Sequence, residues 1–272
     1  MHICYKKVRT GETAMILRYE HGKLVEQRTY REALHLEADV SPVISVVGAG
    51  GKTTTIRRLA QEYADAGWKV AVTTTTHMQI ETRSCFLLDE SMKQLQKIME
   101  QERQVWFGVP APIKKTDNVK KMQAVSEDFF RQVLELRIPI LLEADGSRRL
   151  PCKAPGDREP VLRKETTDVL AVYGLDAVGK SIQESCFRPE KTAEILQKKQ
   201  SDLLCAEDIA VLATNVRGGR KDVLKNQRYQ IVLNKADCRE RVKIAEQICK
   251  KIVERECLDI IVTSQTLEGV RA

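Results

Sequence analysis

Lys52 and Thr53 stand where a chain can grip a phosphate group. They close the segment VISVVGAGGKTTT at 43–55, a β-branched apolar run, then a glycine cluster, then the polar start of a helix. Gly48, Gly50 and Gly51, with Ala49 between them, let the backbone turn N–H groups towards an anion. A helix starting near Thr53 adds the positive end of its dipole. Lys52 would reach the outer phosphates of a nucleotide, the Thr53 hydroxyl would ligate magnesium, and Thr54 completes the cradle. LLEADGS at 141–147 supplies carboxylates at the end of an apolar strand. Glu143 and Asp145 are the candidates for the magnesium shell, and Asp145 is also a candidate base for orienting water. Gly146 would offer its amide to a terminal phosphate. A solvated Asp-Gly turn has the same residues.

Position 46 is Val, so the long G-x-x-x-x-G-K-[ST] loop is absent. The shortened loop resembles the G-x-x-G-K-T of the Mur peptide ligases. Glu143-x-x-Gly146 resembles the D-x-x-G element of GTPases with Glu for Asp. IVLNKAD at 231–237 ends in N-K-x-D. On the GTPase likeness Asp237 accepts two hydrogen bonds from guanine, Asn234 supports the loop and the Lys235 stem covers the base. A turn capping the helix from Arg239 is the competing reading. IVTSQ at 261–265 is a further strand end, from which Ser264 would reach the base.

Four threonines and a histidine, TTTTHM at 73–78, finish another strand. His77 is a candidate general base or phosphate contact, or a surface histidine. SRRLPCKAP at 147–155 sets Arg148, Arg149 and Lys153 after the acidic motif, where a second, anionic ligand would be held. Cys152 would lie against that ligand. Asp176, in YGLDAVGK at 173–180, would line the same cleft.

Strand–helix alternation with apolar strands has to position these groups. Strands are expected at 43–47, 70–75, 84–88, 105–107, 138–142, 168–173, 229–233 and 260–263, the last closing the sheet. Helices are expected at 53–66, 92–102, 126–136 and 239–255. The pattern is that of an α/β, doubly wound, mostly parallel sheet with helices on both faces and its ligand at the carboxyl ends of the strands. Residues 1–41 form an N-terminal appendage, a hairpin about His21-Gly22 and a short helix; residues 42–272 form the main domain.

Composition narrows the class. The chain has 272 residues, 31% of them charged, and a net charge of +7, with no run of five like charges. That suits an anionic ligand and gives no reason to expect nucleic acid. No apolar stretch is long enough for a membrane helix, and no export signal is visible. Eight cysteines without a C-x-x-C are expected as free thiols in the cytoplasm.

VVGAGGKTTT (46–55), TTTTHM (73–78), LLEADGSRRLPCKAP (141–155), EPV (159–161) and VYGLDAVGK (172–180) together resemble the YqeC family. These are accessory proteins associated with selenium-dependent molybdenum hydroxylases. The resemblance implies a P-loop NTPase-like nucleotide-binding fold and a part in maturing a molybdenum hydroxylase or a molybdenum cofactor intermediate, and it supplies no reaction; Mg2+ with GTP or ATP as the ligand comes from the phosphate-loop, acidic and N-K-x-D motifs themselves. Cys152 replaces an expected aliphatic residue. The reaction would be slow hydrolysis or phosphoryl transfer, with Lys52, Asp145 and His77 as the catalytic candidates. An ATP-dependent ligase or kinase acting on a small anion, and a non-catalytic nucleotide switch, are the alternatives.

A carboxylate aimed at two guanine donors rejects a base that lacks them. GTP should bind better than ATP by about 1.4 kcal/mol or more, a factor of about ten. Asp237→Asn should shift preference from GTP towards XTP. Competition binding with the three nucleotides tests this. Equal GTP and ATP affinities in the parent with no shift in the variant would make 234–237 an ordinary helix-capping turn.

Overall fold

Apolar runs without polar alternation form the centre of a sheet, because such strands are buried on both faces. The structure is a computed structural model and describes residues 15–36, 41–112 and 119–264. In chain order the elements are β1 (Ile16–Glu20), β2 (Lys23–Glu26), α1 (Tyr30–Ala33), β3 (Val43–Gly48), α2 (Lys52–Asp65) and β4 (Val70–Thr74). Then come β5 (His77–Gln79), β6 (Phe86–Leu87), α3 (Met92–Glu102), β7 (Gln104–Phe107), β8 (Val109–Pro110), β9 (Lys121–Gln123), α4 (Glu127–Glu135) and β10 (Ile140–Glu143). The rest are β11 (Cys152–Lys153), β12 (Asp168–Gly174), α5 (Ile182–Ser185), β13 (Cys186–Phe187), α6 (Pro189–Leu196), α7 (Ala206–Thr214), β14 (Arg228–Asn234), α8 (Arg239–Val253) and β15 (Asp259–Thr263).

Ten strands make the main sheet in the order β2-β1-β15-β14-β12-β3-β10-β4-β7-β6. From β15 to β6 every pairing is parallel. Side chains alternate across it. Leu170 and Val172 of β12 pack with Ile56, Leu59 and Tyr63 of α2 on one face. Val169, Ala171 and Tyr173 pack with Ile209 and Leu212 of α7 and Ile248 and Ile252 of α8 on the other. Leu95 and Met99 of α3 join Phe129, Phe130 and Val133 of α4 over Ile140 and Leu142. Ser91 and Ser126 cap α3 and α4 by accepting from Gln94 and Phe129 N–H groups. This is the doubly wound α/β arrangement expected of a P-loop NTPase-like chain.

The structure corrects the expectation that β15 closes the sheet. β1 pairs antiparallel with β15 and β2 with β1, so the hairpin about His21-Gly22 extends the same sheet. The apolar side chain of Ile16 is buried there, and Arg18 pairs with Asp259 of β15. Residues 1–14 of the expected appendage lie outside the described residues. No helix is expected from the sequence between 181 and 228, yet α5, α6 and α7 lie there. The segment AEDIAVLAT of α7 is apolar on most sides and carries little helical period.

If the hairpin is part of the core, Ile16→Ala should cost about 2 kcal/mol or more, the range for emptying a buried aliphatic site. Urea denaturation measures it. A change within about 0.5 kcal/mol would mean that the hairpin adds nothing to the sheet.

Candidate functional site

The order of the central strands brings the motifs to one edge. β3 lies between β12 and β10, so the glycine loop leaves the sheet beside the end of β10 and next to that of β12. Gly48 and Gly50 have φ of +91° and +82°. A Cβ on Gly50 would come within 2.2 Å of the Gly174 nitrogen, so glycine is required for the loop to press against β12. The amides of Gly48, Ala49 and Gly50 donate to Asp145 Oδ2, the Val172 carbonyl and the Leu150 carbonyl at 2.9, 2.9 and 3.0 Å. These three are therefore engaged within the chain. Gly51 is the N-cap of α2, with φ of +134° and no side chain capping the helix. The first turn, Lys52–Thr54, is the part of the loop with amides left for an anion. Thr53 and Thr54 are half-buried there.

The Thr53 hydroxyl donates to Glu143 Oε2 at 2.7 Å. Burial pushes the Glu143 carboxyl up from its ordinary value, and Lys52 and the Thr53 hydroxyl oppose that. A hydroxyl and a carboxylate oxygen at a helix N-terminus make a hard-oxygen donor pair of the kind magnesium takes.

Asp145 is the hub. It is 2% exposed, Lys52 3% and Lys153 3%. Lys52 Nζ lies 3.1 Å from Asp145 Oδ1 and donates to the Gly48 carbonyl at 2.8 Å. Lys153 Nζ lies 2.9 Å from Asp145 Oδ2 and 2.7 Å from Glu159 Oε2, and donates to the Gly146 carbonyl at 2.7 Å. Arg188 completes the chain by reaching Glu159 Oε2 at 2.8 Å. The contact of Oδ1 with Lys52 is close but misaligned, and Oδ1 has no hydrogen-bond partner. Burial alone would raise the Glu159 carboxyl; hydrogen bonds from Arg188 and Lys153 outweigh it and hold the group down at about 2.

The N-K-x-D segment docks against the loop from the other side. Asn234 Nδ2 donates to the Gly50 carbonyl at 2.8 Å and Asn234 Oδ1 accepts from Thr263 at 3.0 Å. Lys235, at φ +67°, pairs with Asp176 Oδ2 at 2.8 Å, so two expected site residues hold each other. Asp237 pairs with Arg241, one turn along α8, at 3.3 Å. Ser264 exchanges hydrogen bonds with Met15 of the hairpin and is buried, which ties it to the scaffold.

Several expectations change. Lys153 is not a rim cation; it is buried between two carboxylates. Cys152 does not face a ligand: it is fully buried, in register with Cys186, and its hydrogen bond to Cys186 together with burial pushes its thiol up. The Thr73 and Thr74 hydroxyls donate to the carbonyls of Phe107 and Glu143, and that of Thr75 to Val161, so all three brace strand ends. His77 is exposed on β5 and, by strand alternation, on the same face as Gln79, which accepts from Arg149 at 3.0 Å. Arg148 and Arg149 are exposed, with φ of +49° and +63°. Glu159, Phe187 and Arg188 were not singled out by residue type. The EPV stretch held the only signal, since their role depends on chain folding back to Lys153.

Glu159 is held below its ordinary value of 4.5, so its stabilisation is complete above that pH and fades as pH falls towards about 2. Glu159→Gln should therefore cost roughly 2 kcal/mol near neutral pH and almost nothing near the acid limit. Denaturation midpoints of parent and variant across that interval test this. A pH-independent difference would place the variant's effect in packing rather than in charge.

Two comparisons with known proteins give the chain a family. The Escherichia coli (strain K12) protein named "Uncharacterized protein YqeC" is 31% identical over 212 residues, covering 75% of this chain and 80% of that protein. The family described as YqeC protein matches residues 44–190, which hold the glycine loop, the acidic strand end, the buried lysine and Arg188. The chain belongs to the YqeC family.

Proposed function

We propose that this protein binds a magnesium–purine nucleotide, GTP in preference to ATP, at the start of α2. It then hydrolyses the nucleotide slowly or transfers its terminal phosphoryl group, assisting maturation of a selenium-dependent molybdenum hydroxylase or its cofactor. The observation that carries the reading is the 2.7 Å bond between Thr53 and Glu143 at an uncapped helix N-terminus, with Lys52 one residue away. Magnesium would supply charge neutralisation between phosphate oxygens, held by Thr53 and Glu143. Lys52 would exchange Asp145 and the Gly48 carbonyl for the outer phosphates. Asp145 would then remain with Lys153, placed to orient water. The link from Asn234 to the Gly50 carbonyl couples the N-K-x-D segment to the phosphate loop, and this supports the guanine preference. The maturation role rests on family membership.

Arg148 favours a second reading, a ligase or kinase acting on a small anion. It is exposed at the same edge and makes no ion pair among the described residues.

Glu143→Gln should keep most nucleotide binding but lose at least about tenfold of its magnesium dependence, together with metal-dependent phosphate release. Asp145→Asn should lose turnover and also stability, since it leaves two buried lysines short of a partner. Calorimetric titration with and without magnesium, a phosphate-release assay and thermal denaturation give the readouts. Unchanged metal dependence in both variants would remove the E-A-D-G segment from the site.

A further inference from the structure

Beyond the phosphate loop the chain of charges ends on a platform that the nucleotide reading does not use. Three cations lie against the Phe187 ring: Arg188 at 4.2 Å, Arg148 at 5.2 Å and Lys153 at 5.7 Å from its centroid. Lys153 is committed to Asp145 and Glu159. Arg188 shares Glu159 with it, and Arg148 has no carboxylate partner among the described residues. At the Phe187 end the three cations Arg148, Lys153 and Arg188 meet Glu159, which the last two share, and Lys153 also meets Asp145, so Arg148 is the cation left without a carboxylate among the described residues.

The backbone is built to keep these guanidiniums there. Arg148 and Arg188 both adopt left-handed φ, +49° and +63°, a conformation that costs a side-chain-bearing residue energy. Arg188 passes over Gly156, where an added Cβ would sit 3.0 Å from its guanidinium. The same residue is the N-cap of α6, whose N-terminus carries no side-chain cap. Guanidiniums beside an aromatic ring and an uncapped helix start present planar donor forks, and such a fork pairs with two oxygens of a carboxylate or phosphate. Glu159 already shows that an oxyanion is accepted at Arg188.

We propose that Arg148 and Arg188, held over Phe187, form an oxyanion-binding site for a second ligand bearing a carboxylate or phosphate group. The site adjoins the phosphate loop through Lys153 and Asp145, so a nucleotide there would tune its affinity, but none of its anion-binding groups belongs to the loop. It takes its charge from the arginines and its orientation from the ring, and Lys153 stays with its two carboxylates.

Thermal denaturation with inorganic phosphate or malonate, against sodium chloride at equal ionic strength, tests this. The two anions separate the phosphate and carboxylate sources. In the parent at least one should raise the melting temperature beyond the salt control. Arg148→Ala, an exposed position, should weaken the apparent affinity about tenfold, and Arg188→Lys, which keeps charge but loses the fork, should weaken it as well. Lys52→Ala should keep the response, which separates this site from the nucleotide reading. No response in the parent overturns the proposal. So does a response unchanged in both arginine variants, or one lost in Lys52→Ala and kept in Arg148→Ala, which would put the anion on the phosphate loop.

Discussion

A buried carboxylate between two buried lysines is the constraint on which the site depends. A carboxylate at that depth needs partners, because an isolated charge in the interior is heavily penalised. Lys52 and Lys153 supply them, and the Gly48 amide adds a hydrogen bond. Each lysine in turn needs more than one acceptor. Lys52 takes the Gly48 carbonyl, and Lys153 takes the Gly146 carbonyl and Glu159. The network therefore ties the glycine loop to the later stretch that runs from the end of β10 through β11 to Glu159.

That arrangement also bears on how an anion would enter. The amides at 48–50 and the Lys52 ammonium are satisfied within the chain, whereas the first turn of α2 is not. On the proposed reading, phosphates would compete with Asp145 for Lys52. Asp145 would then lean more on Lys153, and the balance at Glu159 and Arg188 would shift. Binding at one end of the chain of charges would thereby be felt at the other, and linkage requires the effect to be reciprocal.

Much of the fold was legible because the signals were local. The apolar runs of β3, β10, β12 and β14, the Ser126 cap of α4, and the glycines ahead of Lys52 each follow from residue type and spacing. So does the adjacency of Thr53 and Glu143, once the acidic strand lies beside the glycine strand. What was not legible depends on distant partners. Nothing near Ile16 indicates that the hairpin adds to β15, and nothing near Lys153 distinguishes a solvated cation from one buried between two carboxylates. Cys152 looked like a ligand contact because its neighbours are charged, yet pairing of β11 with β13 turns it into the core. Phe187 and Arg188 follow a stretch with no helical or strand period of its own, so their place at the edge comes only from tertiary packing.

The most direct measurement of the central claim is the melting temperature of the unaltered protein with GTP or ATP, in the presence and absence of magnesium. A ligand that binds the folded chain alone stabilises it by about 2.7 kcal/mol at roughly a hundred times its dissociation constant. A nucleotide that takes Lys52 from Asp145 should therefore raise the melting temperature by several degrees. The rise should be larger with magnesium, and it should vanish in Lys52→Ala. No rise with either nucleotide, or one of equal size in Lys52→Ala, would contradict the assignment of the α2 N-terminus as a nucleotide-phosphate site.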